Sequence, residues 1–200
     1  MTHMKIQSLL FIIAISIIMT SCSLDETSTP ATDQPPTNDQ PPVVTLPVPD
    51  PISTLPVIQW GKRTKTTGCK VRGPLPDPAC TPGDLIKPLV TREDICVSGY
   101  SSGVRDVSTS LKEKVYKAYG IKSHSPAEFE MDHFVSLGLG GSNDISNLFP
   151  EAAEPRPGYH EKDRVENYLI DQVCEGAMSL EEAQIKIATN WVEVYSSMPK

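Results

Sequence analysis

The sequence predicts an α+β domain in which a short β-hairpin packs against flanking helices and follows a loop-rich, disulfide-stabilised part. Three observations predict this class. Residues 129–150 join an apolar strand pattern to a glycine turn and a returning segment. Three other stretches show helical periodicity with recognisable ends. Four cysteines lie in the part of the chain that has a globular composition. The folded domain is expected to cover residues 58–200.

The hairpin is predicted from the strand pattern over residues 129–137, the turn at Gly140-Gly141 and the return at Asn147. Glycine permits the positive φ values that such a turn requires. Alternate residues of a strand share a face, so Asp132 and His133 are expected to point in opposite directions unless the strand ends there. We expect the turn to bring Asp132, His133 and Asn147 close together.

Helical periodicity predicts three helices, at residues 110–120, 159–175 and 179–195. Gly120 and Gly176 lie where helices commonly end. Ser179 and Glu182 form a capping box at the start of the last helix. A helix that follows a hairpin makes a ββα arrangement.

The four cysteines Cys69, Cys80, Cys96 and Cys174 form an even set, which in an exported chain indicates two disulfides. Three pairings are possible, and we favour Cys69–Cys80 with Cys96–Cys174. A zinc site is the alternative. It would ordinarily contain a closely spaced cysteine pair, and the wide spacings here provide none.

Residues 1–21 have the features of an export signal. Lys5 precedes an apolar stretch over residues 9–19, which is shorter than the ~20 residues of a transmembrane helix. The small residues before Cys22 resemble a bacterial lipoprotein signal, in which Cys22 would be the lipidated first residue of the mature chain. The alternative is an ordinary signal peptide with Cys22 incidental. Ser23 favours an anchor in the outer rather than the inner membrane.

Residues 22–57 are predicted to be a disordered linker, because repeated prolines remove backbone donors and favour an extended chain. Behind a lipid anchor, this linker would hold the domain away from the membrane. A proline-rich ligand for a partner protein is the alternative.

The charge of the domain does not favour broad electrostatic capture of nucleic acid. The chain has a net charge of -7, and residues 1–57 contain five of its 25 acidic residues and one of its 18 basic residues. The remainder is therefore mildly acidic. A nucleic-acid substrate would need a local basic groove or a metal ion to offset phosphate repulsion.

Asp132-His133, the segment Gly140 to Asp144, and Asn147-Leu148 together resemble the HNH, or His-Me finger, nuclease family. The resemblance implies a ββα-metal core and roles for individual residues. His133 would act as general base, Asn147 would orient its imidazole, and Asp132 would bind one divalent ion. Mg²⁺, Mn²⁺ and Zn²⁺ all remain open.

The remaining metal ligand implied by the resemblance departs from the family pattern, because Arg156 stands at a common ligand spacing after Asn147. The helix starts later, so His160 is the main candidate and Asn167 a further one. Asp163 and Glu130 are further candidates for acidic metal ligands. Lys162 and Arg164 are candidates for contacts with the substrate phosphate.

The resemblance implies a metal-dependent endonuclease that hydrolyses phosphodiester bonds in DNA, in preference to RNA, and we expect a monomer. The membrane would be contacted through the lipid anchor only. The alternative is a catalytically inactive ββα domain that serves as an envelope binding or structural module. The sequence contains no glycine-rich phosphate loop and no HExxH motif, so nucleotide-binding and common metalloprotease classes have no support.

Overall fold

The computed structural model describes residues 56–200. The predicted signal over residues 1–21, the lipidation site Cys22 and nearly all of the predicted linker lie outside the described residues. The described part has a mixed α/β architecture with one antiparallel sheet of two strands. Within it, no helix combines the length and apolarity needed to cross a membrane.

Five α-helices, two strands and two short 3-10 helices, Leu137–Leu139 and Ile145–Asn147, make up the regular structure of residues 56–200. Their bounds, in chain order, are α1 Arg92–Ile95, α2 Tyr100–Val104, α3 Thr109–Ala118, β1 Phe129–His133, β2 Leu148–Ala152, α4 Tyr159–Cys174 and α5 Leu180–Ser197. The three helices predicted from periodicity are confirmed as α3, α4 and α5. The capping box prediction holds in part, since the Ser179 side chain accepts from the Glu182 backbone N–H.

The predicted strand over residues 129–137 is too long, because β1 ends at His133. A short 3-10 helix follows, and the Ser136 side chain caps it by accepting from the Gly138 N–H. The chain turns at Gly140, whose φ is 76°, in agreement with the prediction. A Cβ on Gly141 would overlap the carbonyl oxygen of Val135, so the turn requires glycine there.

The hairpin lies between helices on its two sides. Phe149 of β2 belongs to the main core, whose helical members come mainly from α4 and α5, with Ile95 from α1, and include the fully buried Val165, Leu169 and Trp191. A smaller cluster joins Met131 and Leu148 to Val115 of α3. The helices thus cover both faces of a two-stranded sheet that would be marginally stable alone.

Both predicted disulfides are confirmed. Cys69–Cys80 is buried and closes a loop that packs against Ala118 at the end of α3. Cys96–Cys174 joins the end of α1 to the end of α4 across a separation of 78 residues. The part before α1 contains isolated β-bridges at Arg72–Leu75 and Leu85–Gly141, in line with its predicted loop-rich character.

Candidate functional site

The antiparallel pairing of β1 and β2 positions the Asp-His pair. Asp132 lies opposite Phe149, and His133 lies opposite Leu148. His133 is buried, whereas Asp132 on the other face is partly exposed. The side chains of Asp132 and His133 therefore point to opposite faces of the hairpin, as predicted. Asp132 faces α4, while the ring of His133 faces the loop that contains Asn143.

Asn143 fixes the orientation and the tautomer of the His133 ring. Its Oδ1 lies 3.1 Å from His133 Nε2, and its Nδ2 donates to the Val104 carbonyl at 2.7 Å. The backbone N–H of Asp106 also donates to Oδ1. Because Oδ1 acts only as an acceptor, His133 Nε2 is the nitrogen that bears the proton. The lone pair is consequently on Nδ1.

The Nδ1 atom of His133 is buried and has no hydrogen-bond partner among residues 56–200. Burial lowers the pKa of His133 to about 4, although the hydrogen bond with Asn143 and the charge of Asp132 act in the opposite direction. The ring is therefore neutral at physiological pH. A neutral imidazole with a free lone pair can accept a proton.

The predicted role of Asn147 is corrected by the structure. Its side chain is fully buried and binds backbone instead of the imidazole. The Oδ1 accepts from the Val135 N–H at 2.8 Å, and Nδ2 donates to the carbonyls of Val135 and Ser142. Asn147 precedes β2 in a 3-10 turn, which directs its amide into the loop after β1. It stabilises the loop, and Asn143 orients the ring.

Asp132 is held by several donors. Its Oδ1 accepts from the His133 N–H at 2.8 Å, and its Oδ2 lies 2.7 Å from Lys162 Nζ. Burial favours the neutral acid, but the charge of Lys162 and the hydrogen bonds from Glu151 and Lys162 together outweigh burial and lower the pKa of Asp132. Asp132 is thus ionised.

Lys162 is a fully buried cation on α4. Besides Asp132, its ammonium contacts the His133 carbonyl oxygen at 2.9 Å and the carboxylate of Glu166. Burial favours the neutral amine, but the neighbouring carboxylates outweigh it and raise the pKa of Lys162. The predicted phosphate contact for Lys162 does not fit this burial. Glu166 is held in turn by the Ser136 hydroxyl at 2.7 Å.

Glu151 is a buried carboxyl group beside Asp132. It is 1% exposed and accepts no hydrogen bond from residues 56–200. Burial, the adjacent charge of Asp132 and a hydrogen bond with the Asp132 carboxylate raise its pKa well above the usual range, so Glu151 is the protonated donor of that bond. Sequence reasoning missed Glu151, because a glutamate after Pro150 carries no pattern that separates it from a surface residue.

The helix residues predicted to bind metal lie away from Asp132. His160 and Asn167 are both exposed, and the His160 ring packs on Tyr159 at a centroid distance of 4.2 Å. Within residues 56–200, no three His, Cys, Asp or Glu side chains are arranged to hold a metal ion. At about 100° per residue, Lys162 faces the hairpin while His160 and Asn167 lie on the opposite side of α4.

A sequence signal for the inward residues of α4 did exist. Lys162 and Glu166 share the helical stripe of Val165 and Leu169, which are fully buried. Residues at spacings of three and four occupy one face of a helix. A charged pair within that apolar stripe therefore predicts a buried ion pair.

Arg105, which follows α2, is the exposed cation beside this site. Its charge opposes protonation of His133 and lowers the otherwise raised pKa values of Glu130 and Asp163. No carboxylate lies within salt-bridge distance of Arg105 in the described part of the chain, whereas Arg164 packs on the Tyr195 ring. Sequence reasoning missed Arg105, since its loop lies far from the hairpin along the chain.

Comparison of the chain with protein-family models, with curated proteins and with solved structures gives no match.

Proposed function

We propose that the protein is a metal-dependent endonuclease of the HNH type, which hydrolyses phosphodiester bonds in DNA and, as a second substrate, RNA. The observation that carries the proposal is the state of His133. Asn143 holds its Nε2, its Nδ1 is free, and an ionised Asp132 precedes it. This arrangement provides a positioned general base next to an ionised carboxylate.

In the proposed reaction, His133 Nδ1 takes a proton from the water that attacks phosphorus. The new bond joins the water oxygen to phosphorus, and the bond to the leaving 3′ oxygen breaks. Asn143 holds the ring through its contact with Nε2, which leaves the lone pair on Nδ1. General-base catalysis of this kind contributes a factor of about 10²–10⁴ to a rate.

Asp132 could bind the one divalent ion that the family resemblance implies, because it is ionised and its side chain is 14% exposed. When bound, Mg²⁺, Mn²⁺ or Zn²⁺ would supply positive charge that stabilises the developing charge at phosphorus and at the leaving oxygen. We assign Asp132 as the ligand of this ion.

Arg105 is proposed to pair with the substrate phosphate. It is exposed and close enough to influence the pKa of His133. Guanidinium groups bind phosphate oxygens with good geometry. One positioned arginine would offset local repulsion on a domain whose overall charge does not attract nucleic acid.

The alternative function is a catalytically inactive ββα domain that acts as an envelope binding or structural module. One observation favours it: Lys162 occupies the side of Asp132 that faces α4, and His160 and Asn167 are turned away. A buried lysine among carboxylates is a stable arrangement without any metal ion.

The deciding experiment is cleavage of plasmid DNA and of RNA by the purified protein with Mg²⁺, Mn²⁺ or Zn²⁺. His133→Ala is expected to reduce metal-dependent cleavage by about 10²–10⁴. His124→Ala is the matched control, because His124 is exposed and stacks near Tyr116 away from Asp132. Cleavage that survives in His133→Ala would reject the general base. Absence of both cleavage and metal binding in the wild type would establish the inactive module.

We also propose export and lipid anchoring through Cys22, in the outer membrane in preference to the inner. The support is the sequence of residues 5–23. Fatty-acid labelling followed by membrane fractionation tests this. Cys22→Ser is expected to lose the label, and labelling that persists in the variant would reject Cys22 as the anchor.

A further inference from the structure

The orientation of the His133 ring depends on a stretch of chain far from it in the sequence. Asn143, which contacts His133 Nε2, is itself held by the backbone on both sides of Arg105. Its Nδ2 donates to the Val104 carbonyl at 2.7 Å, and its Oδ1 accepts from the Asp106 N–H at 3.1 Å. The position of this stretch therefore sets both the imidazole and the proposed phosphate contact.

Packing holds this stretch only loosely. It lies at the end of α2, a helix of five residues in which no side chain is buried, although Tyr100 packs against the edge of the main core. A cleft of about 510 Å³ lies between α2 and α4 and is lined by residues of both helices, among them Ser101 and Ile170. Few apolar contacts therefore restrain α2 against α4.

The Cys96–Cys174 disulfide is the covalent attachment of this region to α4. Cys96 follows the last residue of α1, and Cys174 is the last residue of α4. Both cysteines line the cleft. Residues 97–99, which connect α1 to α2, are exposed and provide no further attachment of their own to the core. The disulfide is thus the attachment to α4 that lies nearest to α2.

Two non-covalent contacts also hold α1. Ile95 is buried in the main core, and the Arg92 guanidinium donates to the Cys174 carbonyl. Ile95 fixes the inner side of α1 but not its end against α4. The Arg92 contact lies on the exposed surface, where water competes for the same hydrogen bond. Neither contact replaces the covalent link.

The two disulfides differ in how easily a reductant reaches them. Cys96 is exposed, whereas Cys69 and Cys80 are 3% and 0% exposed. Thiol–disulfide exchange requires a thiolate to reach a sulfur atom, and exposed disulfides are the ones that serve regulation. A dithiol is therefore expected to open Cys96–Cys174 before Cys69–Cys80.

Resting on the proposed nuclease function, we propose that the Cys96–Cys174 disulfide positions the His133 ring through α2 and Asn143, and that its reduction lowers cleavage. A dithiol reduces the S–S bond to two thiols with two electrons and two protons, and itself becomes a disulfide. The freed α2 then no longer fixes Asn143. A misplacement of ~1 Å at a reacting group costs about 10²-fold in rate.

The proposed export gives this dependence a use. The cytoplasm keeps thiols reduced, and disulfides form in oxidising compartments outside it. A chain that has not yet been exported would therefore lack the alignment of His133. A disulfide oxidant outside the cytoplasm would accept the two electrons of Cys96 and Cys174 and complete the site there. The nucleic acid of the producing cell would be spared.

The first test is plasmid cleavage before and after treatment with dithiothreitol. Reduction should lower the rate by about 10²-fold. Cys96→Ser/Cys174→Ser should have the low rate with and without dithiothreitol. Cys69→Ser/Cys80→Ser is the matched control, because it keeps Cys96–Cys174 and should lose activity only on reduction. Wild-type activity in Cys96→Ser/Cys174→Ser, or an equal loss in both variants before reduction, overturns the proposal.

A second measurement needs neither a variant nor a substrate. The ¹⁵N resonances of the His133 ring report which nitrogen bears the proton. In the oxidised wild type the proton should stay on Nε2, and after reduction a mixture of both tautomers is expected, because Asn143 no longer selects one. An unchanged tautomer overturns the proposal. Loss of the helical circular dichroism on reduction also overturns it, since the disulfide would then only stabilise the fold.

Failure of this proposal is distinguishable from failure of the nuclease function. A change of the His133 tautomer on reduction, in a protein that cuts no nucleic acid, supports the positioning role and rejects the nuclease. Cleavage that requires His133 but is unaffected by reduction of Cys96–Cys174 supports the nuclease and rejects the positioning role.

Discussion

Two buried carboxylates, Asp77 and Glu151, have opposite surroundings. Asp77 lies in the loop closed by Cys69–Cys80 and is 8% exposed. Its oxygens accept from the Lys65 ammonium at 2.9 Å and from the backbone N–H groups of Lys70 and Ala79 at 3.0 Å. Glu151, between the hairpin and α4, accepts no hydrogen bond from the described residues.

The two environments have opposite effects on ionisation. Burial opposes ionisation of Asp77, but its hydrogen bonds outweigh burial and lower the pKa of Asp77. At Glu151, burial and the charge of Asp132 act together and raise the pKa. The fold therefore holds Asp77 as an ionised carboxylate and Glu151 as a neutral acid beside Asp132. Three substitutions test this contrast.

The largest expected change in the free energy of unfolding comes from removing the Lys162 ammonium, which pairs with Asp132 and Glu166. Lys162→Met should lower the free energy of unfolding by about 3–5 kcal/mol, because Asp132 and Glu166 would lose their buried partner. Urea unfolding at neutral pH measures it. Lys186→Met is the matched control, since Lys186 pairs with Glu182 at a half-exposed position on α5. That change should cost less than about 1 kcal/mol. Equal costs for the two variants would show that Lys162 does not stabilise Asp132 and Glu166.

A smaller effect is expected at Asp77. Asp77→Asn should cost about 1–3 kcal/mol at neutral pH, because charge-assisted hydrogen bonds are lost. The folded pKa of Asp77 is lowered, so its charge stabilises the fold above the unfolded pKa and ceases to do so as the pH falls through the folded value. The difference between wild type and variant should shrink as the pH falls below the ordinary aspartate pKa and through the lower folded value.

Urea unfolding of both proteins across the acidic range checks the Asp77 prediction. Asp171→Asn on the exposed side of α4 is the control and should change the free energy of unfolding by less than about 0.5 kcal/mol. A cost for Asp77→Asn that stays constant with pH would mean that the charge of Asp77 is not what stabilises the loop.

The smallest change in the free energy of unfolding is expected for Glu151→Gln, and the test depends on the sign of that change. In the presence of a chelator, Glu151→Gln should leave the free energy of unfolding unchanged or raise it by up to about 1 kcal/mol. The reason is that a neutral carboxyl group is replaced by a neutral amide of similar shape, whose N–H can still donate to Asp132. Thermal unfolding with chelator measures it. A loss similar to that of Asp77→Asn would show that Glu151 is stabilised within the fold, and the contrast would fail.

The fold was predictable wherever a short-range pattern controls structure. The apolar spacing of Val165, Leu169 and Val173 predicts α4, and the observed helix Tyr159–Cys174 agrees within a residue. The even cysteine set predicts two disulfides, and the favoured pairing is confirmed. The length of β1 was overestimated, because the Ser136 cap and the turn after it compete with strand pairing.

The candidate site was predictable in part. Asp132 and His133 are adjacent in sequence, and strand alternation correctly separates their directions. The partner of the imidazole was not predictable, because Asn143 and Asn147 both follow the turn and only the loop path directs one amide to the ring. His160 and Asn167 do share a helical face, but that face points to solvent.

The sequence by itself determined the helices, the hairpin turn and the Asp-His pair, since each depends on spacing or on residue type over a short distance. It also indicated two disulfides, but only the structure decided between the three possible pairings. Only the tertiary structure decided what surrounds the Asp-His pair: Asn143 on the ring, Lys162 on Asp132, and Glu151 buried beside it. Hydrogen bonds and charge interactions depend on distances of a few ångströms between segments far apart in the chain. Those distances are set by how the hairpin packs against α4, which no local pattern specifies.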